Sequence, residues 1–133
     1  MSAERATYLD SSAIVKIAVL ESESGALRRY LRRKNPLVTS ALARTEVARA
    51  LLPFGAAALA RGEDALSRLD IVRVNDRILR GAGTLLPLEL RSLDAIHLAT
   101  AVALGTDLAR VCTYDERMTS AAIGLGMNVV APG

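Results

Sequence analysis

Asp10, Glu46, Asp94 and Asp115 are the side chains of this chain whose types and settings could do chemistry together. Asp10 ends a short strand-like run, Thr7–Asp10, and is followed by two serines and an apolar helical stretch through Ala13, Ile14, Ile17 and Ala18. Asp115 directly follows a second such run, Arg110–Tyr114. Asp94 falls in the first turn of a helix expected between Ser92, a good N-cap, and Gly105, a good stop. Glu46 sits on a helix expected over residues 41–52, at the edge of an apolar stripe of Leu42, Ala43, Val47, Ala50 and Leu51. Each acid alone has an ordinary explanation. Asp10 and Asp115 could be N-caps or Asx-turns. Asp94 could complement the helix dipole. Glu46 could be an edge residue that reaches solvent or pairs with Arg49. A single anionic pocket accounts for all four at once. Several carboxylates cannot share a small site in ionised form without a cation. Oxygen donors with no His or Cys cluster suit Mg²⁺ or Mn²⁺.

The elements that must position these acids alternate. Strands are expected at residues 7–10, 37–39, 71–74, 110–114 and 128–131, with helices between them. Such alternation gives a mainly parallel sheet covered by helices on both faces. Ligands of these sheets bind beyond the carboxyl ends of the strands, where the strand order reverses. Two acids placed just after strands are suited to that crevice. The helix over Ser92–Gly105 is apolar on nearly every side and is expected to be buried. His97, one turn along it and about 60° round from Asp94 on an ideal wheel, is expected to make a structural hydrogen bond. Pro53 and Gly55 mark a bend, and Gly62 is a candidate break in the helix expected over residues 54–69.

At 133 residues the chain is read as one domain, 1–133, with an aliphatic core that contains no tryptophan. The single cysteine, Cys112, has no partner for an internal disulfide and is expected to be a small buried residue. No apolar run is long enough for a membrane span, and the opening Met-Ser-Ala-Glu-Arg lacks the apolar segment of a signal peptide, so the cytoplasm is the expected compartment. The net charge of +3 permits an anionic partner. Arg28, Arg29, Arg32 and Arg33 form a basic stripe on a helix expected over residues 22–34, either a solvated face or a phosphate-tracking surface.

Four segments carry a family resemblance: Tyr-Leu-Asp-Ser-Ser-Ala around Asp10, Thr-Glu-Val-Ala-Arg-Ala around Glu46, Leu-Asp-Ala-Ile-His-Leu-Ala-Thr-Ala around Asp94 and Thr-Tyr-Asp-Glu-Arg-Met around Asp115. Together they resemble the PIN-domain family, and within it the VapC toxins of bacterial toxin–antitoxin pairs, from about Thr7 to Gly133. The resemblance implies a three-layer α/β/α sandwich on a five-stranded sheet of order 3-2-1-4-5. It implies a metal-dependent endoribonuclease whose acids fall on Asp10, Glu46, Asp94 and Asp115. It also implies an RNA substrate, homodimerisation or a larger toxin–antitoxin assembly, and inhibition by a VapB-type antitoxin. Attack by a metal-activated water would leave a 5′-phosphate and a 3′-hydroxyl. Ser12 and Thr113 are candidates to orient that water or an acidic ligand. An antitoxin segment is expected along the bend Leu51-Leu52-Pro53-Phe54, contacting Leu51 and Phe54 and bringing a basic side chain toward the acids.

Three other classes fit these residues less well. A receiver-type Mg²⁺-binding phosphoacceptor domain needs an acidic pair after the first strand and a lysine after the last. Here Asp10 is followed by serines, and residues 127–133 contain no lysine. A haloacid-dehalogenase-type phosphatase needs a second Asp where Ser12 stands. A PIN-like scaffold used only for binding has no need of all four acids.

Overall fold

The computed structural model describes residues 4–133. Five strands, β1 (Ala6–Leu9), β2 (Leu37–Ser40), β3 (Asp70–Val72), β4 (Leu108–Cys112) and β5 (Val129–Val130), form one sheet in the order β3-β2-β1-β4-β5. Every neighbouring pair is parallel. Both the α/β class and the 3-2-1-4-5 order are as expected. Residues 1–3, part of the opening stretch on which the absence of a leader was argued, lie outside the described residues. Among the described residues no helix is long and apolar enough to cross a membrane.

The central strand β1 is buried along its whole length, so its side chains must alternate between two apolar layers. Leu9 faces a layer with Ala13 and Ile14 of α1 (Ser11–Ala18), Leu27 of α2 (Ser24–Leu31), Val47 and Leu51 of α3 (Leu42–Leu51) and Ala58 of α4 (Ala56–Ser67). Ala6 and Tyr8 face the other layer, with Ala101 of α6 (Ser92–Ala103). Helix α5 (Asp76–Ala82) packs on α6, and α7 (Glu116–Gly124) contributes Met118, Ala121 and Ala122 around Leu98 of α6. Cys112 is fully buried, and burial pushes its thiol up to about 12.

Tertiary packing moves several expected boundaries. β4 ends at Cys112, so Thr113 and Tyr114 separate the strand from Asp115. The register of β4 with both neighbours ends at Cys112, opposite Leu9 of β1 and Val130 of β5. Arg91, not Ser92, is the N-cap of α6, and the exposed Leu93 and Val102 make that helix less than fully buried. On α3 the buried stripe is Ala43, Val47 and Leu51, whereas Ala50 is exposed. Helix α2 spans fewer residues than 22–34, ending at Leu31.

Gly62 does not break α4. A Cβ at Gly62 would stand 2.5 Å from Leu51 Cδ1 and 3.2 Å from Val47 Cγ1, so glycine is what allows α4 to lie against α3. The break falls earlier, at a 3₁₀ turn over Leu52–Phe54 and at Gly55, whose φ of 92° favours glycine.

Candidate active site

Chain direction reverses about β1: the chain proceeds from β1 to β2 and β3 on one side, then returns to β4 on the other. Asp10 leaves the carboxyl end of β1, and Asp115 follows β4 across that switch point. Both are N-caps, so the capping explanation is correct for both as far as it goes. Asp10 Oδ1 accepts from the Ala13 amide at 3.1 Å. Asp115 Oδ1 accepts from the Arg117 and Met118 amides at 2.8 and 3.0 Å.

Asp10 is nevertheless more than a cap, because it is only 3% exposed. Ser12 Oγ donates to its Oδ1 at 2.7 Å and Thr113 Oγ1 to its Oδ2 at 2.5 Å. Those two hydroxyls are themselves fixed. Ser12 Oγ accepts from the Tyr114 amide and Thr113 Oγ1 from the Asp115 amide. The two auxiliary candidates therefore clasp one carboxylate and tie β1 to the segment after β4. Burial pushes the Asp10 carboxyl above its ordinary range, while the bonds from Thr113, Ser12 and Ala13 pull it back toward the charged form.

Glu46 reaches the same region from α3. Its Oε1 accepts from Ser11 Oγ at 2.7 Å and lies 2.6 Å from His97 Nε2. His97, 2% exposed, meets the Tyr8 hydroxyl through Nδ1 at 2.7 Å. Burial raises the Tyr8 phenol far above its ordinary value, so that hydroxyl keeps its proton and is able to donate it to Nδ1. In that arrangement the ring proton sits on Nε2 and points to Glu46. Partial burial pushes the Glu46 carboxyl up, but the bonds from His97 and Ser11 outweigh it, leaving the group below its ordinary range. His97 thus makes the structural hydrogen bonds expected of it. Ser11 and Tyr8 complete the chain that sequence reasoning missed; the signal was His97 itself, a polar side chain on a buried helix that needed partners.

Asp94, in the first turn of α6, is partly exposed. Its carboxyl is raised first by loss of solvent and then by the negative charge of Asp115, with Glu46 and Asp10 adding to it and His97 opposing. The four acids therefore share one electrostatic site. Among the described residues, no three acidic, His or Cys side chains already lie close enough to clasp one ion. Yet among the described residues no hydrogen bond occupies Glu46 Oε2, Asp115 Oδ2 or either Asp94 oxygen. An oxygen-only set, anchored on one side and crowded by like charge on the other, fits a hard divalent cation.

Other expected site residues lie elsewhere. Arg28 and Arg32 line a groove with Arg61 and Arg68, beside Leu37 and Leu69 at the amino ends of β2 and β3. That is the opposite end of the sheet from the acids. Arg28 there donates to the Ile17 carbonyl at 2.6 Å, and Arg29 and Arg33 are exposed. Leu51 is fully buried in the core, so it is corrected from surface contact to packing residue; the bend exposes Leu52 and Phe54 instead.

A parallel sheet of this order with acids at its switch point defines a class, and the PIN domain family profile matches residues 7–124: the chain belongs to the PIN domain family. Within that family it is 65% identical over 127 residues to Ribonuclease VapC46 of Mycobacterium tuberculosis, an alignment covering 96% of this chain and 98% of that one. The solved structure of Mycobacterium tuberculosis VapC20, described as a sarcin-ricin loop cleaving toxin, superposes with a TM-score of 0.75 at 19% identity, covering 95% of this chain and 99% of that one. A chain of a toxin–antitoxin complex from Klebsiella pneumoniae gives 0.73 at 22% identity, with 96% and 98% covered.

Proposed function

We propose that this chain is a VapC-type endoribonuclease toxin of a VapBC pair, with Mg²⁺ or Mn²⁺ held by Asp10, Glu46, Asp94 and Asp115. The observation that carries the reading is the set of four acids gathered from four elements at the switch point of a PIN-domain sheet. The identity to a named ribonuclease along nearly the whole chain supports it. A receiver-type domain has no such support.

The chemistry supplied by a bound divalent ion is an activated water and relief of the charge gathering on the scissile phosphate. The chain's own residues do the positioning. Ser12 and Thr113 fix the two oxygens of Asp10 at the back of the crevice and offset part of the burial that disfavours its charge. Ser11 and His97 hold Glu46 by one oxygen and leave the other for the ion. Asp94 and Asp115 stand at the starts of α6 and α7, where the charge of one is felt by the other, and would complete the ligand set. A VapB-type antitoxin is the proposed inhibitor, contacting the exposed Leu52 and Phe54, and a homodimer the proposed assembly.

The test is cleavage of cellular RNA by purified protein, with 5′-phosphate ends mapped across the transcriptome. Cleavage is expected with Mg²⁺ or Mn²⁺, to stop with chelator, and to be lost in Asp10→Asn and Asp94→Asn. Cleavage that survives chelation, or both substitutions, refutes the reading.

A further inference from the structure

We infer that a groove leading from Asp94 seats the RNA strand beside the cleavage point, and that Arg91 and Arg117 grip its phosphates. The inference rests on the ribonuclease reading above. The groove encloses about 590 Å³ between the α5–α6 connection and α7, within the range of roughly 300–1,000 Å³ typical of ligand sites. Asp94 forms part of its wall, so it is continuous with the acidic site. Arg91 enters it from the start of α6 and Arg117 from the first turn of α7.

Both arginines are exposed, and among the described residues neither guanidinium is in an ion pair, although Glu89 and Glu116 share the groove with them. Arg91 caps α6 with no side-chain hydrogen bond. Arg117 is held only through its backbone amide, on Asp115. No structural task therefore occupies either fork. A phosphate strand approaching four carboxylates is repelled by them, and the ion at the scissile phosphate cannot offset the neighbouring phosphates. Planar guanidiniums on both sides of the groove can, and their geometry matches phosphate oxygens. Pro87 and Leu90 add apolar surface against which a ribose or base can rest. The stripe on α2 is less suited: it lies at the other end of the sheet, and its Arg28 is already spent on a backbone carbonyl.

The test is binding of a labelled random-sequence single-stranded RNA in chelator, followed by fluorescence anisotropy as salt is varied. The phosphate contribution is independent of sequence and of cleavage. Arg91→Gln and Arg117→Gln are each expected to weaken binding about three- to tenfold. Each should lower the slope of log K against log salt by about 0.7. The lysine variants should restore the slope while recovering only part of the affinity. The double variant Arg29→Gln/Arg33→Gln should leave the slope unchanged. Wild-type protein that cleaves RNA with Mg²⁺, while the Arg91 and Arg117 variants bind with unchanged slope, overturns the groove and leaves the ribonuclease reading standing. Loss of slope in the Arg29/Arg33 variant alone also overturns it. Wild-type protein that neither binds nor cleaves RNA overturns both. Reduced slopes in protein that binds the random-sequence RNA but cleaves no cellular RNA with Mg²⁺ or Mn²⁺ support the groove and refute the nuclease.

Discussion

Thr113→Val removes one oxygen from the site and keeps the shape of the side chain. The hydroxyl is fully buried and makes two bonds: it donates to Asp10 Oδ2 and accepts from the Asp115 amide. The bond to a charged carboxylate is worth about 1.5–3 kcal/mol and the one to the amide about 0.5–1.5 kcal/mol. The metal-free protein should therefore lose about 2–4.5 kcal/mol at pH 8. With 133 residues and about 2.1 cal/mol/K each, the unfolding entropy is about 280 cal/mol/K. The melting point should fall by about 7–16 °C. The pH dependence has a definite sign. Burial raises the folded-state pKa of Asp10 above its ordinary value, so the stability linked to its proton is full below about pH 4 and is lost as pH rises through the folded value. Removing the Thr113 donor disfavours the charged form further and raises that value. The gap between wild type and variant should thus be smallest near pH 4, where the folded-state Asp10 of both proteins is closest to neutral, and widen toward pH 8. Thr113→Ser, which keeps the hydroxyl, should keep the gap flat. Melting curves in chelator at the two pH values decide it. A Thr113→Val gap that is the same at both shows that the hydroxyl does not hold a charged Asp10.

Tyr8→Phe leaves His97 Nδ1 buried without its donor, which should cost about 1–3 kcal/mol and loosen the grip of His97 on Glu46; calorimetry and Mn²⁺ titration read the two effects, and unchanged stability would sink the proton assignment along Tyr8–His97–Glu46. Leu51→Ala should cost about 2–5 kcal/mol as a core truncation, whereas Phe54→Ala, at a side chain 62% exposed, should change stability by less than about 0.5 kcal/mol. If Phe54 contributes to the antitoxin surface, its variant should keep fold and dimer yet bind the antitoxin more weakly in calorimetry; unchanged affinity removes Phe54 from that surface.

Asp10 and Asp115 were legible because strand, acid and helix follow one another locally, whereas the order of strands around them was carried only by the family resemblance. Glu46 was legible from the helical wheel, as an acid at the edge of an apolar stripe. What completes the site was not. Ser11 is 35 residues from Glu46, and Tyr8 is 89 residues from His97. No local pattern records which distant polar atoms a fold will bring together. Leu51 and Phe54 looked equivalent at a bend, yet α4 covers one because Gly62 lets it approach, and leaves the other in solvent. Arg91 and Arg117 resembled any other charged residues at helix starts, and only the groove distinguishes them.

The way the acids are held says why the site is built from so many neutral donors. Each of Asp10, Glu46 and Asp115 is fixed by hydroxyl, imidazole or amide N–H groups, and among the described residues no lysine or arginine forms an ion pair with any of them. A permanent cation beside these carboxylates would satisfy them and compete with a metal ion for the same lone pairs. Neutral donors fix the geometry and leave the negative charge in place, at the cost of the burial and repulsion that push Asp10 and Asp94 upward. The same logic accounts for what a basic antitoxin side chain could do there. It would supply the cation that the protein itself withholds, and would occupy the site without the ability to activate water.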